Sequence, residues 1–238
     1  MAYQTVFERY EFKYLLTPRQ ESALERALEE HMLRDFHGRA TIRNVYFDTP
    51  TYRLIRRSLE KPAYKEKLRL RAYHRPEAQE DVFVELKKKY RCVVYKRRLA
   101  LASAVAEDCL LRGAPLPGDS QIAREIDYFR SYYGQLRPAA FLSYEREAFA
   151  ACEGDLRMTL DRNILFRRED LRLDSEIYGA PLLEEGQALL EIKTGGGMPL
   201  WLTNVLTRER VFRTTFSKYG TGYCSFILGA QREAERYA

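Results

Sequence analysis

The sequence predicts an α+β fold: a closed barrel of about eight antiparallel strands with a charged interior, and helices packed on the outside. Three observations point to it. Roughly eight short runs alternate charged with apolar residues at the two-residue period of a strand, giving each one ionic and one apolar face. Other stretches carry apolar residues at helical spacing instead. Charged faces turned outward would leave the helices nothing to cover, whereas a closed sheet with its charges inside gives every apolar face a partner and removes the edges.

Phe7 to Leu15 is the first strand, with Arg9, Glu11 and Lys13 alternating against Tyr10, Phe12 and Tyr14. TPRQESALERALEEHMLRDF then reads as a helix, with Thr17 as N-cap, Pro18 at the first helical position and Gln20 completing a capping box. Leu24, Ala27, Leu28 and His31 form its stripe, expected to lie on the aromatic face of the sheet; His31 and His37 are read as structural histidines. Thr41 to Asp48 is a β-branched and aromatic strand, followed by a short helix opened by Thr49 and Pro50 and running to about Ser58.

Lys65 to Leu99 carries the strongest signal. Lys67, Arg69 and Arg71 share one face of a strand. Phe83, Glu85, Lys87 and Lys89 share one face of the next, and Lys96 and Arg98 alternate along a third. Like charges on neighbouring strands repel, so a fold that gathers them gains from an anion. Two readings stand: a solvated outer face, or a concave surface for phosphates, which the guanidinium fork of Arg suits. Glu85 among these cations suggests a metal ion.

Leu99 to Leu111 is apolar and Ala-rich, consistent with a buried connection, and GAPLPGD breaks regular structure. A helix is expected from Ser120 to Tyr133, stopped by Gly134. Ala140 to Phe149, Arg157 to Arg167 and Ala188 to Thr194 are strands; in the first, Tyr144 and Arg146 share a face. The last repeats the Glu-x-Lys step of Glu85 and Lys87 as Glu191 and Lys193. Gly195 to Gly197 lack phosphate-loop spacing and read as a turn. Pro199 starts a helix, and TTFSKYGTGYCSFILG sets Ser217 and Lys218 beside a Gly-rich bend before a last apolar helix, with an exposed tail from Gln231.

The 238 residues, 45% hydrophobic, suffice for one large domain, which is the expected organisation over 1–238. A net charge of +6 suits polyanionic partners. The four cysteines show no CxxC spacing and read as free thiols of a reducing compartment. No apolar run approaches membrane-spanning length and the start turns charged at once, so the protein is expected in the cytoplasm.

Taken in order, RYEFKY at Arg9, YFDTP at Tyr46, LRLR at Leu68, VELK at Val84, YKRR at Tyr95, SYER at Ser143, LDRN at Leu160, LEIK at Leu190 and SKYGTGY at Ser217 resemble the triphosphate tunnel metalloenzymes. Within that superfamily (CYTH-like) they are similar to the VTC type of polyphosphate polymerase domain. The resemblance implies a tunnel in which Lys13, Arg69, Arg71, Lys87, Lys96, Arg146, Arg162 and Lys218 grip phosphates, with Lys193 and Glu85 as further members. Among these, Arg69, Arg71, Lys87, Arg146 and Arg162 would act in catalysis, and Glu191 would hold Mn²⁺ or Mg²⁺. Two departures matter. The Glu-x-Glu-x-Lys strand of many tunnel enzymes begins here with Arg9, leaving only Glu11 before Lys13, which favours a longer anion over hydrolysis of free triphosphate. YKRR matches loosely, leaving Lys96 or Arg97 as the inward cation.

The activity implied is transfer of the ATP γ-phosphoryl group to inorganic polyphosphate or pyrophosphate. The alternatives are a tripolyphosphatase or nucleoside triphosphatase of the same fold, and a non-catalytic polyphosphate-binding module. Nucleic acid ranks last, since neither an RNP-type stacking motif nor a base-reading helix is present. A membrane-protein partner for export is left open.

Overall fold

The computed structural model describes residues 10–91 and 93–229. The expected strand start at Phe7–Arg9, Cys92, the side chain of His37 and the tail from Gln231 lie outside the description. In chain order the elements are β1 (Tyr10–Leu16), α1 (Pro18–His31), β2 (Met32–Asp48), α2 (Arg53–Leu59), β3 (Tyr64–Ala72), β4 (Asp81–Tyr90) and β5 (Val93–Ala102). There follow α3 (Ser103–Arg112), α4 (Gln121–Tyr133), β6 (Arg137–Ala151), β7 (Arg157–Arg167), β8 (Ala180–Pro181), β9 (Ala188–Thr194), α5 (Leu200–Arg208), β10 (Arg213–Thr214) and α6 (Lys218–Gly222). The chain continues from α6 as a π-helical turn, Tyr223–Leu228.

The local chemistry explains most boundaries. Thr17 and Gln20 make the reciprocal capping box at the start of α1, with the Thr17 N–H donating to Gln20 Oε1 at 2.9 Å. The helix stops five residues short of the expected Phe36, because Met32 is already extended (φ −140°) and MLRDF opens a 17-residue β2. Thr49 and Asp48 together cap α2: the Thr49 hydroxyl accepts from the Arg53 N–H at 2.9 Å, and the Asp48 carboxylate accepts from the N–H groups of Thr49, Leu54 and Ile55 at 2.8, 2.8 and 3.0 Å. The expected buried connection from Leu99 to Leu111 is instead the end of β5 and helix α3, which Gly113 terminates at φ +83°.

All the register pairs recorded for the sheet are antiparallel. Its hydrogen-bonded path runs β10–β1–β9–β7–β6–β2–β3–β4–β5, with β8 joined to β7. The closed eight-stranded barrel is therefore corrected to an α+β fold with an open path of nine strands, β8 making ten in the sheet, and the path's ends, β10 and β5, do not pair among the described residues. The extra strands, β8 and β10, are two residues each, too short to show an alternation in sequence.

The chain divides into two compact units. The first takes in the residues up to Thr41, Tyr144–Ile164 and Pro181–Ser217. Its core packs Leu24 and Leu28 of α1 and Leu202, Val205 and Leu206 of α5 on Tyr14, Leu16, Met158, Leu160, Leu190 and Ile192. The second takes in Ile42–Ser143, Leu165–Ala180 and the chain from Lys218. There Ala106, Cys109 and Leu110 of α3 and Ile126 and Phe129 of α4 cover Leu68, Leu70, Val82, Val84 and Leu86. In both, helices take the apolar faces of strands. Each such leucine, fully buried, contributes about 2 kcal/mol and fixes which face carries the charges. Among the described residues Cys109, Cys152 and Cys224 are free thiols, and no helix is long and apolar enough to cross a membrane.

Candidate anion-binding site

In the second unit the strand registers convert the sequence alternation into rows. Lys67 of β3 stands opposite Lys87 of β4, which stands opposite Lys96 of β5. One pleat along, Tyr46 of β2 faces Arg69, Arg69 faces Glu85, and Glu85 faces Arg98. Glu85 is only 1% exposed and gathers the cations around it. Its Oε2 accepts from Arg69 Nε and Nη2 at 2.8 and 2.6 Å, with Arg71 Nε at 3.7 Å. Its Oε1 accepts from Arg98 Nε and Nη2 at 2.8 and 2.5 Å and lies 2.8 Å from Lys96 Nζ. Burial alone would raise the Glu85 carboxyl, but Arg69, Arg71 and Lys96 together hold it well below the usual carboxylate range.

Neutral groups fix the guanidinium planes. Arg69 Nη1 donates to Tyr46 Oη at 3.0 Å, and Arg71 Nε donates to Asn44 Oδ1 at 2.9 Å. Asn44 is itself oriented by donating to the Leu142 carbonyl at 3.0 Å. Arg98 lies over the Phe83 ring, 4.4 Å from its centroid, and donates to Tyr73 Oη at 2.6 Å. Two groups in this lattice are poised near neutrality. Burial lowers the Lys96 ammonium to about 8, Arg98 and Arg71 adding to the effect and Glu85 opposing it. Burial would raise the Tyr46 phenol, but Arg69, Lys67 and Arg71 bring it down to about 8. The Tyr219 ring stacks on Tyr46 at 4.8 Å, and its hydroxyl donates to Asp48 at 3.0 Å. That contact joins the YFDTP and SKYGTGY segments and sets Lys218, 8% exposed, at the start of α6.

The first unit builds a second carboxylate centre. On the β1–β9 pair Lys13 stands opposite Glu191 and Glu11 opposite Lys193. Lys13 Nζ lies 3.4 Å from Glu191 and 3.3 Å from Glu11, and Lys193 Nζ lies 3.8 Å from Glu191. Arg146 grips Asp161 with both arms of its fork at 2.5 and 2.6 Å and reaches Glu191 at 3.5 Å. Burial opposes its charge, but Tyr144, whose ring lies 5.1 Å away, with Asp161 and Glu191 raises Arg146 well above the usual guanidinium range.

A family model for the VTC domain matches residues 8–227, nearly the whole chain. This chain belongs to the VTC-domain family. No curated protein matches the sequence. Among solved structures, a Bacillus halodurans protein provisionally named an adenylate cyclase is 16% identical over 90% of this chain and 96% of its own, with a TM-score of 0.56. The PH1819 protein of Pyrococcus horikoshii is 14% identical over 94% and 99%, with a TM-score of 0.46. The likeness to the first shows the fold alone.

The VTC domain thus brings together Arg69, Arg71 and Lys96 around Glu85, with Lys87 in the adjoining row, and Lys13, Arg146 and Lys193 around Glu191. At YKRR it is Lys96 that lies beside Glu85. Arg97 points to the other face, where its Nε and Lys88 Nζ both lie 3.1 Å from Glu125 of α4. Arg162 is a correction: it does not join the Arg146 cluster but is enclosed by Glu21 and Glu25 of α1 and Glu147 of β6. The following residue, Asn163, is left-handed at φ +50° inside β7, a local break that simple alternation does not foresee. Glu21 and Glu25, four apart on one face of α1, were the available signal. The resemblance also passed over Arg98, which shares Glu85, and Asp161, which holds Arg146.

The donors near Glu191 fit a hard divalent cation. Glu191 and Glu11 both reach the same Lys13 ammonium, an all-oxygen pair. Among the described residues no group of three His, Cys, Asp or Glu forms an all-protein cage. One or two carboxylates completed by water and phosphate are what Mg²⁺ or Mn²⁺ takes. Glu85 fits less well, because four cations already crowd both of its oxygens.

Proposed function

We propose that this VTC domain is a polyphosphate polymerase that transfers the γ-phosphoryl group of ATP onto a growing inorganic polyphosphate chain. The observation that carries the reading is the Glu85 lattice. One buried carboxylate faces Arg69, Arg71, Lys96 and Arg98, beside a row in which Lys67, Lys87 and Lys96 stand directly opposite one another. Such an alignment of cations is stabilised by a polyanion.

Phosphoryl transfer asks the protein mainly for positioning and charge. Arg69 and Arg71, their planes set by Tyr46 and Asn44, would hold equatorial phosphate oxygens, and Lys87, Lys96 and Lys218 would neutralise neighbouring ones. Arg146, locked against Asp161, would present a fixed guanidinium edge, with Lys13 and Lys193 beside it. Glu191, with Glu11, would hold Mg²⁺ or Mn²⁺, which when bound draws charge from phosphate oxygens. The terminal oxygen of polyphosphate or pyrophosphate attacks the γ-phosphorus, the bond to the β-bridging oxygen breaks, and ADP leaves. The nucleophile is already ionised, so no side chain has to remove a proton.

The test is incubation with ATP and Mn²⁺ or Mg²⁺, with and without pyrophosphate, resolving polyphosphate on gels while ADP and free phosphate are measured. Chains with matching ADP are expected. Free phosphate without chains would make the protein a triphosphatase, and polyphosphate binding without turnover would make it a binding module.

A further inference from the structure

We propose that Glu85 is a built-in counter-anion: it occupies the phosphate-gripping cations until a polyanion displaces it, and so limits how tightly the polyanion is held. The inference rests on the reading of Arg69, Arg71 and Lys96 as phosphate ligands and adds what governs their affinity.

Three features carry it. Glu85 is 1% exposed and engages its cations with both oxygens, one for Arg69 and Arg71, the other for Arg98 and Lys96. Arg69 and Arg98 each present the Nε and Nη2 edge to it, the same two-pronged edge that a phosphate group takes. The charges are also unmatched. In the network around Arg162, by contrast, Arg34, Arg39 and Arg162 meet Glu21, Glu25, Glu145 and Glu147, so that carboxylates outnumber guanidinium groups. A network built for stability alone leaves no guanidinium group short of a carboxylate, as that one does. At Glu85, among the described residues, one anion serves four cations, enough to hold them in place but too little to neutralise them. An arriving phosphate completes the neutralisation, and Glu85 competes with it for each guanidinium edge, which keeps a long chain exchangeable.

The test is calorimetric titration of wild type and Glu85→Gln with tripolyphosphate, without nucleotide or metal, together with melting curves with and without tripolyphosphate. The Gln variant should bind at least about tenfold tighter, melt lower when ligand-free, and recover more on binding than wild type does. If it does not fold without ligand, Glu85→Asp, whose shorter carboxylate reaches fewer of the cations, should also bind tighter. Equal or weaker binding in the variant that folds would overturn the inference. Absence of tripolyphosphate binding in wild type is a separate result: it would remove the phosphate reading itself.

Discussion

Glu85 and Glu191 each head a Glu-x-Lys step on a strand, VELK in β4 and LEIK in β9, and each is buried among cations. Around Glu85, four cations lie within 3.7 Å with no second carboxylate among those partners. Around Glu191, Lys13, Arg146 and Lys193 are answered by Asp161, which takes both arms of Arg146, and by Glu11, which shares Lys13. Among the described ion pairs, three cations thus meet three carboxylates. The same tetrapeptide pattern places a glutamate on the same kind of strand face, but the neighbouring strands decide its chemistry: a cation surplus suits an anion, and a balanced set tolerates an added divalent cation.

The largest expected effects break the first centre outright. Arg69→Ala or Arg71→Ala should lower ATP-dependent chain synthesis about 100-fold, the scale seen when one preorganised charged donor is removed, with circular dichroism unchanged. A rate within a few-fold of wild type in either variant would exclude that centre from the reaction. Next comes the exchange of roles between the glutamates. Glu191→Gln should raise the Mn²⁺ concentration needed for half-maximal turnover at least about tenfold while leaving metal-free tripolyphosphate affinity within a few-fold. Identical metal responses in Glu191→Gln and Glu85→Gln would erase the distinction between the centres.

The contrast also marks what the sequence made legible. The period-two alternation sufficed to put Lys67, Arg69 and Arg71 on one face, and to pair the apolar face with helices, because burial penalises a one-residue slip along the whole strand. Register was not legible. Nothing local says that Lys67, Lys87 and Lys96 share a row, or that Glu85 stands between Arg69 and Arg98. The start of β2 was hidden because MLRDF also continues a helical stripe, and only the tertiary partners of Arg34 and Arg39 on β6 reveal it as strand. Arg162 shows the same limit: its sign and spacing suited the charged centre, but three carboxylates outside its own strand claim it.

That correction is itself testable, with a smaller effect. Arg162→Met leaves Glu21, Glu25 and Glu147 short of a partner and should cost about 2 kcal/mol of stability in urea unfolding, below the roughly 3–5 kcal/mol of a fully buried pair because Arg162 and Glu25 are partly exposed. Turnover per folded molecule should stay within about twofold, unlike Arg69→Ala. A 100-fold loss of turnover in a stably folded Arg162→Met would return this residue to the reaction.

The smallest effect separates the charge on the Glu85 lattice from its fold. Lys96, lowered to about 8, faces Glu85 and Lys87 of β4, Arg98 of its own strand and Arg71 of β3. Tyr46, also lowered to about 8, faces Arg69, Lys67 and Arg71 of β3 and Tyr219 of α6. As pH rises through about 8, Lys96 loses a positive charge and Tyr46 gains a negative one, so both changes weaken attraction for an anion. Tripolyphosphate affinity should therefore fall about three- to tenfold between pH 7 and 9, with proton uptake on binding above pH 8. Stability moves the other way. Both groups titrate lower in the folded chain than unfolded, where a lysine holds its proton to about 10.4 and a tyrosine to about 10, so above pH 8 the unfolded state binds more protons and these groups add stability as pH rises. Lys96→Arg and Tyr46→Phe should each flatten part of both slopes. If affinity and ligand-free stability instead rise or fall together from pH 8 to 9, the cation surplus at Glu85 is not what holds the phosphate.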